Sequence, residues 1–265
     1  MKRMHARRTN PLNTTLPPPS PFLLALEGRA FFEWGALILT WPWLRRAPAG
    51  DGHPVLVLPG LAASDISTWP MRRYLDSLGY VPYPWQQGRN VGPHDGVVRK
   101  LTDRVREIHH RHGRKLSLIG WSLGGAMARA LAVRMPGKVR SVITLGAPIA
   151  GHPHATNAWW LFEQVSGLRA DDSRLLEVMR RQPPVPYTSI LSKTDGIVNW
   201  RASLAPNMDQ SENIEVVASH FGLGVNPAVL YAIADRLAQA EGQWRPFELG
   251  GWRSMFYRDP LGSRL

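Results

Sequence analysis

The sequence contains no cysteine among its 265 residues. This absence excludes a disulfide framework, a thiolate metal site and a cysteine nucleophile, and it fits a reducing compartment. Acidic residues are scarce, since 20 Asp and Glu face 32 Lys and Arg and leave a formal net charge of +12. Such a charge favours contact with acidic surfaces such as anionic lipid headgroups. No nucleic-acid reading motif accompanies it, so we expect no nucleic-acid partner.

The first 21 residues lack the apolar core of a signal peptide. They begin with basic residues, but Pro11 and the run Pro17-Pro18-Pro19 follow where an apolar stretch should begin. We therefore expect residues 1–21 to be a disordered, basic and proline-rich start rather than a secretory signal.

An apolar, helical segment over residues 22–50 is the next expectation. It lacks a long uninterrupted apolar run, because Glu27, Arg29 and Glu33 break it and the charge-free stretch 34–44 is too short to cross about 30 Å of hydrocarbon. Residues 22–46 are expected either to cover an apolar face of the domain or to lie on a membrane surface, helped by two arginines at their end. The predicted location is cytoplasmic or peripherally membrane-associated.

Short apolar runs alternate with helical patterns from residue 51 to residue 241, which predicts one α/β domain with a mostly parallel central sheet and helices on both faces. The predicted strands are 55–58, 80–83, 116–119, 142–145, 187–191 and 214–217. The predicted helices are 68–78, 95–111, 126–133 and 227–239. Residues 150–186 interrupt this alternation with aromatics and a proline pair, so we interpret them as an inserted cap or lid. The Trp- and Arg-rich tail, residues 242–265, is left unassigned.

One pentapeptide carries the main chemical signal, and it is Gly120-Trp121-Ser122-Leu123-Gly124. It matches G-x-S-x-G, in which a sharp turn between a strand and a helix exposes the serine side chain. A predicted buried strand precedes it and a run of small, helix-favouring residues follows. This context predicts that Ser122 is a nucleophile.

A serine hydroxyl needs a base to take its proton, and the base needs an acid to orient it. When G-x-S-x-G lies on such a turn, the acid and then the histidine follow later in the chain, each after a strand. Asp195 follows the predicted strand 187–191, and His220 follows the predicted strand 214–217. The predicted triad is therefore Ser122, Asp195 and His220.

The other acids and histidines in the second half of the sequence fit these roles less well. Asp171 and Asp172 fall in the predicted cap, and Asp209 falls in a polar loop with no strand before it. His152 and His154 come too early in the chain for the base.

A further cluster, His109, His110 and His112, ends an Arg-rich helix. Cationic side chains suit the end of a helix, and no carboxylate completes a metal site there. We therefore expect a solvated helix end rather than a metal site.

Two backbone amides are expected to hold the oxyanion of a tetrahedral intermediate. Leu123 directly follows the nucleophile and supplies one. The second is assigned to Leu61 in the loop after the first buried strand, where Gly60 allows a turn and Pro59 has no N–H to give.

Together these motifs resemble bacterial lipases and esterases of the α/β-hydrolase superfamily, in particular the triacylglycerol lipase/esterase group. The resemblance runs from about residue 53 to 240 and is carried by residues 58–61, 120–125, 145–148, 195–198 and 219–220. It implies an α/β-hydrolase fold and hydrolysis of carboxylic esters through an acyl-enzyme, without a cofactor. Pro59 departs from the pattern, since many of these lipases have His there.

The substrate class depends on weaker signals. The candidate acyl-pocket or lid residues are Trp121, Trp159, Trp160, Leu161 and Phe162. They favour a small-molecule or lipid ester, while core packing is the alternative for each of them. Acyl transfer by the same triad, and a membrane- or partner-binding protein with a silent hydrolase fold, remain open alternatives; the oligomeric state is open as well.

Overall fold

The computed structural model describes residues 16–150 and 154–262. Its centre is a sheet of six strands in the order β2-β1-β3-β4-β5-β6, and every neighbouring pair is parallel. The strands are β1 (Pro54–Leu58), β2 (Val81–Pro84), β3 (Leu116–Trp121), β4 (Val139–Leu145), β5 (Tyr187–Leu191) and β6 (Ser211–Glu215). The predicted parallel sheet is confirmed.

The described helices are α1 (Pro21–Ala25), α2 (Ala30–Leu44), α3 (Asp65–Ser77), α4 (Asp95–His112), α5 (Leu123–Arg134), α6 (Trp159–Ser166), α7 (Ser173–Arg180) and α8 (Pro227–Leu237). The described residues also form 3₁₀ turns at Leu26–Arg29, between α1 and α2, at Trp200–Ser203, between β5 and β6, and at Gly251–Met255, after α8. The predicted helix 126–133 begins earlier than expected, at the residue after Ser122.

Two apolar clusters lie on opposite faces of the sheet, because successive side chains of a strand point to opposite sides. Val55 and Val57 of β1 belong to the first cluster, while Leu56 and Leu58 belong to the second. Helices α2, α3 and α8 contribute to the first cluster, and α4 and α5 contribute to the second. The prediction of helices on both faces is therefore confirmed.

The strand predicted at 214–217 is displaced, since β6 spans Ser211–Glu215. Its first three residues, Ser211, Glu212 and Asn213, are polar, and Ser211 and Asn213 are partly exposed, as an edge strand permits. The apolar residues alone therefore marked only its end. The chain then leaves the ladder and runs on to His220.

The N-terminal segment lies on the domain. Helix α2 packs against α8, and Tyr74 donates a hydrogen bond to the carbonyl of Leu44 at 3.2 Å. Within the described ranges, no helix is both long and apolar enough to span a bilayer. The predicted disordered stretch is described only from residue 16, and this part contacts the domain instead, because the carbonyls of Pro17 and Pro19 accept hydrogen bonds from Asn199 and Asn157.

Helices α6 and α7 lie between β4 and β5, where the sequence predicts a cap. The tail that the sequence leaves unassigned packs onto the first face of the sheet. Phe247 and Tyr257 are buried there, and Arg258 pairs with Glu215 in an antiparallel bridge. The tail therefore belongs to the packed domain through at least residue 258.

Candidate active site

Ser122 occupies the single residue between the end of β3 and the start of α5. Its backbone has φ 54° and ψ −123°, a conformation that costs a residue with a side chain energy and is often found at functional sites. The glycines around it permit this turn. A Cβ on Gly120 would lie 2.3 Å from the carbonyl oxygen of Gly124, and one on Gly124 would lie 2.5 Å from that of Leu58.

Asp195 and His220 lie on the loops that follow the neighbouring strands β5 and β6. Nδ1 of His220 hydrogen-bonds Oδ2 of Asp195 at 2.7 Å. The other oxygen of Asp195 accepts hydrogen bonds from the amides of Ile197 and Val198, both at 2.8 Å. This arrangement fixes the carboxylate and leaves the second ring nitrogen, Nε2, as the free end of the pair.

The imidazole of His220 is nearly buried, and its surroundings shift its pKa. Burial is the largest single influence and lowers the pKa. The charge and the hydrogen bond of Asp195, together with the charge of Glu27, raise the pKa by more than burial lowers it. The net result is a pKa above the ordinary value. Stabilising the imidazolium in this way is what a general base that must carry a proton requires.

Ser122 and His220 line the same cavity, which has a volume of about 410 Å³. Most of its remaining wall is apolar and includes Leu24, Leu61, Trp160, Leu161, Ile197 and Phe221. Across the described residues, no cluster of three or more metal-ligating side chains occurs. The cavity is therefore suited to an apolar ligand held beside a serine and a histidine.

The predicted substrate-binding aromatics divide into two groups. Trp121 and Trp160 line the cavity, and the indole N–H of Trp121 donates to the carbonyl of His220 at 3.1 Å. Trp159 and Phe162 do not line it and pack instead with the apolar cluster that includes α4 and α5. Their spacing of three residues puts both on the buried face of α6, whereas Trp160 lies about 100° further round the helix.

The two predicted oxyanion donors lie near Ser122 in different ways. Leu61 lines the cavity and Leu123 begins α5 directly after Ser122. Among the described residues, neither backbone N–H donates a hydrogen bond within the protein.

Asn90 stabilises the loop that contains Leu61 through hydrogen bonds, a role that was not predicted from the sequence. Its side chain donates to the carbonyl of Pro59 at 2.8 Å, and its own backbone pairs with Ala62 and Ala63 on both sides of the turn. The sequence signal was slight, because Asn90 is a lone amide in a loop.

The alternative acids and histidines have other contacts. Asp171 pairs with Arg169 at an exposed position, and Asp209 is exposed. His154 packs edge-on against Trp159, with 5.0 Å between ring centres. His152 lies outside the described residues. In the α4 cluster, His112 hydrogen-bonds Tyr83 at 2.7 Å.

A second Asp–His–Ser set lies at the opposite, amino end of the strands. His53 precedes β1 and is fully buried. Its Nδ1 contacts Asp51, and its Nε2 hydrogen-bonds the hydroxyl of Ser117 in β3 at 2.9 Å. Arg140 also pairs with Asp51, at 2.7 Å. Both ring nitrogens of this histidine are occupied by the protein itself.

A family model for the alpha/beta hydrolase family matches residues 55–260. The chain is similar in structure to an alpha/beta superfamily hydrolase from Oenococcus oeni, with 15% identity, a TM-score of 0.52 and coverage of 69% of this chain and 91% of the other. It is also similar to lipase B of Aspergillus fumigatus, with 17% identity, a TM-score of 0.57 and coverage of 76% and 57% respectively.

A third similar structure is a Bacillus licheniformis lipase in its mature form, with 16% identity, a TM-score of 0.52 and coverage of 72% of this chain and 94% of the other. A search of curated proteins gave no match. At such identities the likenesses show the fold, and the substrate has to be argued from the site.

Proposed function

The chain belongs to the alpha/beta hydrolase family, and we propose that it hydrolyses carboxylic esters with Ser122 as nucleophile, His220 as base and Asp195 as the acid that orients it. One observation carries the proposal. The His220–Asp195 pair and the strained turn of Ser122 meet at one apolar cavity, and this is the geometry that activates a serine hydroxyl.

In the proposed first half-reaction, Nε2 of His220 takes the hydroxyl proton of Ser122 while Oγ of Ser122 bonds to the ester carbonyl carbon. The amides of Leu61 and Leu123 hold the resulting oxyanion. The carbon–oxygen bond to the alcohol then breaks, and His220 returns the proton to the departing alcohol. An acyl-enzyme remains on Ser122.

Water then attacks the acyl-enzyme, again losing a proton to His220. Collapse of the second tetrahedral intermediate breaks the bond to Ser122 and returns the proton to its oxygen, which releases the carboxylic acid. The apolar wall around Trp160, Leu161 and Phe221 supports an apolar acyl chain as the group bound beside Ser122.

Hydrolysis of p-nitrophenyl esters tests this function, with acyl chains from two to sixteen carbons. Ser122→Ala is expected to abolish turnover, while Ser117→Ala provides a matched control, because Ser117 is a buried serine of the same strand system. A Ser122→Ala protein that is folded and still hydrolyses these esters at the original rate would refute the proposal.

We further propose that the outer face of α2 binds an anionic lipid bilayer. This face consists of Phe31, Phe32, Ile38, Leu39 and Trp43, each between 64% and 83% exposed. They recur at helical spacing, opposite the buried Leu37 and Leu44. A solvated helix face is normally polar, so a continuous apolar one indicates a partner surface.

Charge supports a bilayer as that partner. The exposed residues Arg45 and Arg46 follow α2 directly, and the sequence begins with Lys2, Arg3 and further arginines, all of which anionic headgroups attract. Leu24, in the neighbouring helix α1, lines the cavity and is 43% exposed. The same segment therefore approaches both the proposed lipid surface and the cavity, which favours a lipid ester.

Co-sedimentation with vesicles tests this contact, using phosphatidylcholine alone and mixed with phosphatidylglycerol. We expect binding to the mixed vesicles, weakened by salt and lowered about tenfold by the double variant Phe32→Ser/Leu39→Ser. Met208→Ser removes an exposed apolar side chain from a distant loop and is expected to bind normally. Equal sedimentation of the protein and its double variant would contradict the proposal.

A further inference from the structure

Glu27 lies in the 3₁₀ turn before α2, far along the sequence from the proposed triad, yet it touches both loops that carry it. The residue is only 5% exposed. One carboxylate oxygen accepts hydrogen bonds from the amides of Gly196 at 2.8 Å and His220 at 2.9 Å, and the other accepts one from the amide of Phe221 at 3.0 Å. A buried carboxylate needs such partners to offset its lost hydration.

These three amides belong to two different loops. Gly196 follows Asp195 after β5, whereas His220 and Phe221 follow β6. Both loops have left the sheet, so strand pairing no longer sets the distance between them. One carboxylate oxygen of Glu27 therefore links the backbone of Gly196 to the backbone of His220. This link is additional to the hydrogen bond between the side chains of Asp195 and His220.

Two neighbouring charged residues extend this contact. Arg29 donates from one guanidinium nitrogen to the carbonyls of Thr194 and Ala218, each at 2.7 Å. Glu33 accepts hydrogen bonds from the amide and the hydroxyl of Ser219, both at 2.8 Å. Each loop is thus held from the same side by the turn before α2 and by α2.

The glycines in these loops fit the close approach of the segment. A Cβ on Gly196 would lie 2.3 Å from the carbonyl oxygen of Leu23, and one on Gly222 would lie 1.1 Å from a carboxylate oxygen of Glu33. A side chain in place of Gly196 would have to displace the backbone of the N-terminal segment, whereas one in place of Gly222 would displace the carboxylate of Glu33.

We infer that Glu27 is a positioning residue of the proposed ester hydrolysis, whose carboxylate holds the Asp195 loop and the His220 loop in their reactive arrangement. The inference rests on the proposed function. Misplacement of a reacting group by about 1 Å can cost about 10²-fold in rate, so a residue that fixes the backbone of the base is expected to affect turnover more than substrate binding.

The charge of Glu27 also affects the pKa of His220. This effect distinguishes a positioning residue of the site from a residue that only attaches the N-terminal segment to the domain. The charged groups that face the His220 loop are Asp195, Glu27, Glu33 and Arg29. Burial is the largest single influence on the pKa of the imidazole and lowers it, but Asp195 and Glu27 together raise the pKa by more. Removing the charge of Glu27 should therefore lower the pKa of His220.

Kinetics of the full chain with Glu27→Gln on p-nitrophenyl butyrate test the inference. We expect kcat to fall 10- to 100-fold, KM to stay within about twofold, and the acid limb of the kcat/KM profile to move to lower pH. Glu163→Gln is the matched control, because the Glu163 carboxylate also accepts a backbone hydrogen bond, from Ala170 in the cap. We expect it to leave kcat and the profile unchanged.

A folded Glu27→Gln protein with the original kcat and the original acid limb would overturn the inference, as would a lower kcat with an unmoved acid limb. If Glu27→Gln fails to fold, Glu27→Asp decides the matter. It keeps the charge but shortens the reach, so we expect a lower kcat with little change in the acid limb, and an unchanged kcat would overturn the inference.

The two proposals fail in distinguishable ways. Hydrolysis that survives Ser122→Ala would remove the proposed function whatever Glu27 does. Hydrolysis that depends on Ser122 but is indifferent to Glu27→Gln would remove only the positioning role.

Discussion

The molecule carries an Asp–His–Ser set at each end of its sheet, and the two differ in what surrounds the histidine. At the carboxyl end, His220 bonds Asp195 through one nitrogen and lines a cavity of about 410 Å³ together with Ser122. At the amino end, His53 is fully buried, and its two nitrogens contact Asp51 and Ser117. The same three residue types therefore have opposite access to a ligand.

Their electrostatics differ in the same direction. Burial lowers the pKa of His53 most, Arg140 and Arg114 lower it further, and Asp51 only partly opposes them, so that the pKa falls to about 4. The pKa of His220 is raised instead. His53 is thus a neutral histidine fixed by hydrogen bonds within the fold, while the surroundings of His220 favour its protonated form.

The backbone separates the two serines as well. Ser117 lies within β3, where its hydroxyl also hydrogen-bonds that of Ser141 at 2.9 Å. Ser122 lies one residue beyond that strand, at a positive φ. The proposed role of Ser122 therefore depends on its place in the strand–turn–helix unit and not on its residue type alone.

The largest expected contrast is between His220→Asn and His53→Asn. We expect His220→Asn to lower kcat/KM for p-nitrophenyl butyrate about 10⁴-fold, as loss of a triad member does. We expect His53→Asn to keep kcat/KM within about threefold, but to lower the free energy of unfolding by about 1–3 kcal/mol, since buried hydrogen bonds are lost. A folded His53→Asn protein as inactive as His220→Asn would break the comparison.

Acid should destabilise the protein through His53, by about 2 kcal/mol between pH 7.5 and pH 5. Its pKa is about 4 in the folded state against 6.5 unfolded, so only the unfolded chain binds the proton in this window and stability falls as pH falls. Urea unfolding of the protein and of His53→Asn at both pH values measures the difference. Parallel losses in the two proteins would contradict the assignment.

His220 is expected to act with the opposite sign. Because its folded pKa is raised, its contribution to stability is complete below the unfolded value of 6.5 and is lost as pH rises through the folded pKa. His220→Asn should therefore flatten the decline in stability above pH 6.5, in the same urea measurements, and an unchanged decline would count against the raised pKa.

Glycine substitutions should separate the two serines by the sign of the change in stability. Ser122→Gly is expected to stabilise the protein by about 1 kcal/mol, because glycine removes the strain of the positive φ. Ser117→Gly is expected to destabilise it by about 2 kcal/mol through lost hydrogen bonds and a weakened strand. Denaturant unfolding checks both, and shifts of the same sign would show that Ser122 is unstrained.

The sequence predicted the sheet and the positions of Ser122, Asp195 and His220 because these depend on local signals. Most of the strands contain a compact apolar run, and each predicted triad residue lies within a few residues after such a run. The β6 prediction was displaced, since polar residues begin that edge strand.

Other parts of the site depend on contacts that no local pattern reveals. Glu27 lies 169 and 193 residues from Gly196 and His220, respectively, and the sequence showed it only as a charge that interrupts an apolar segment. Trp159 and Phe162 point into the core and not into the cavity because of how α6 is rotated about its own axis against the domain. The burial of His53 depends on tertiary contacts, and none of its neighbours in the sequence indicates it.

We propose that Ser122 is the nucleophile, and not Ser117, whose hydroxyl hydrogen-bonds His53. The most direct measurement is to treat the protein with a fluorophosphonate, digest it and locate the adduct by mass spectrometry. We predict one adduct per chain on the peptide that contains Ser122, and none in Ser122→Ala. An adduct on Ser117, or a Ser122→Ala protein that still becomes labelled, would contradict the claim.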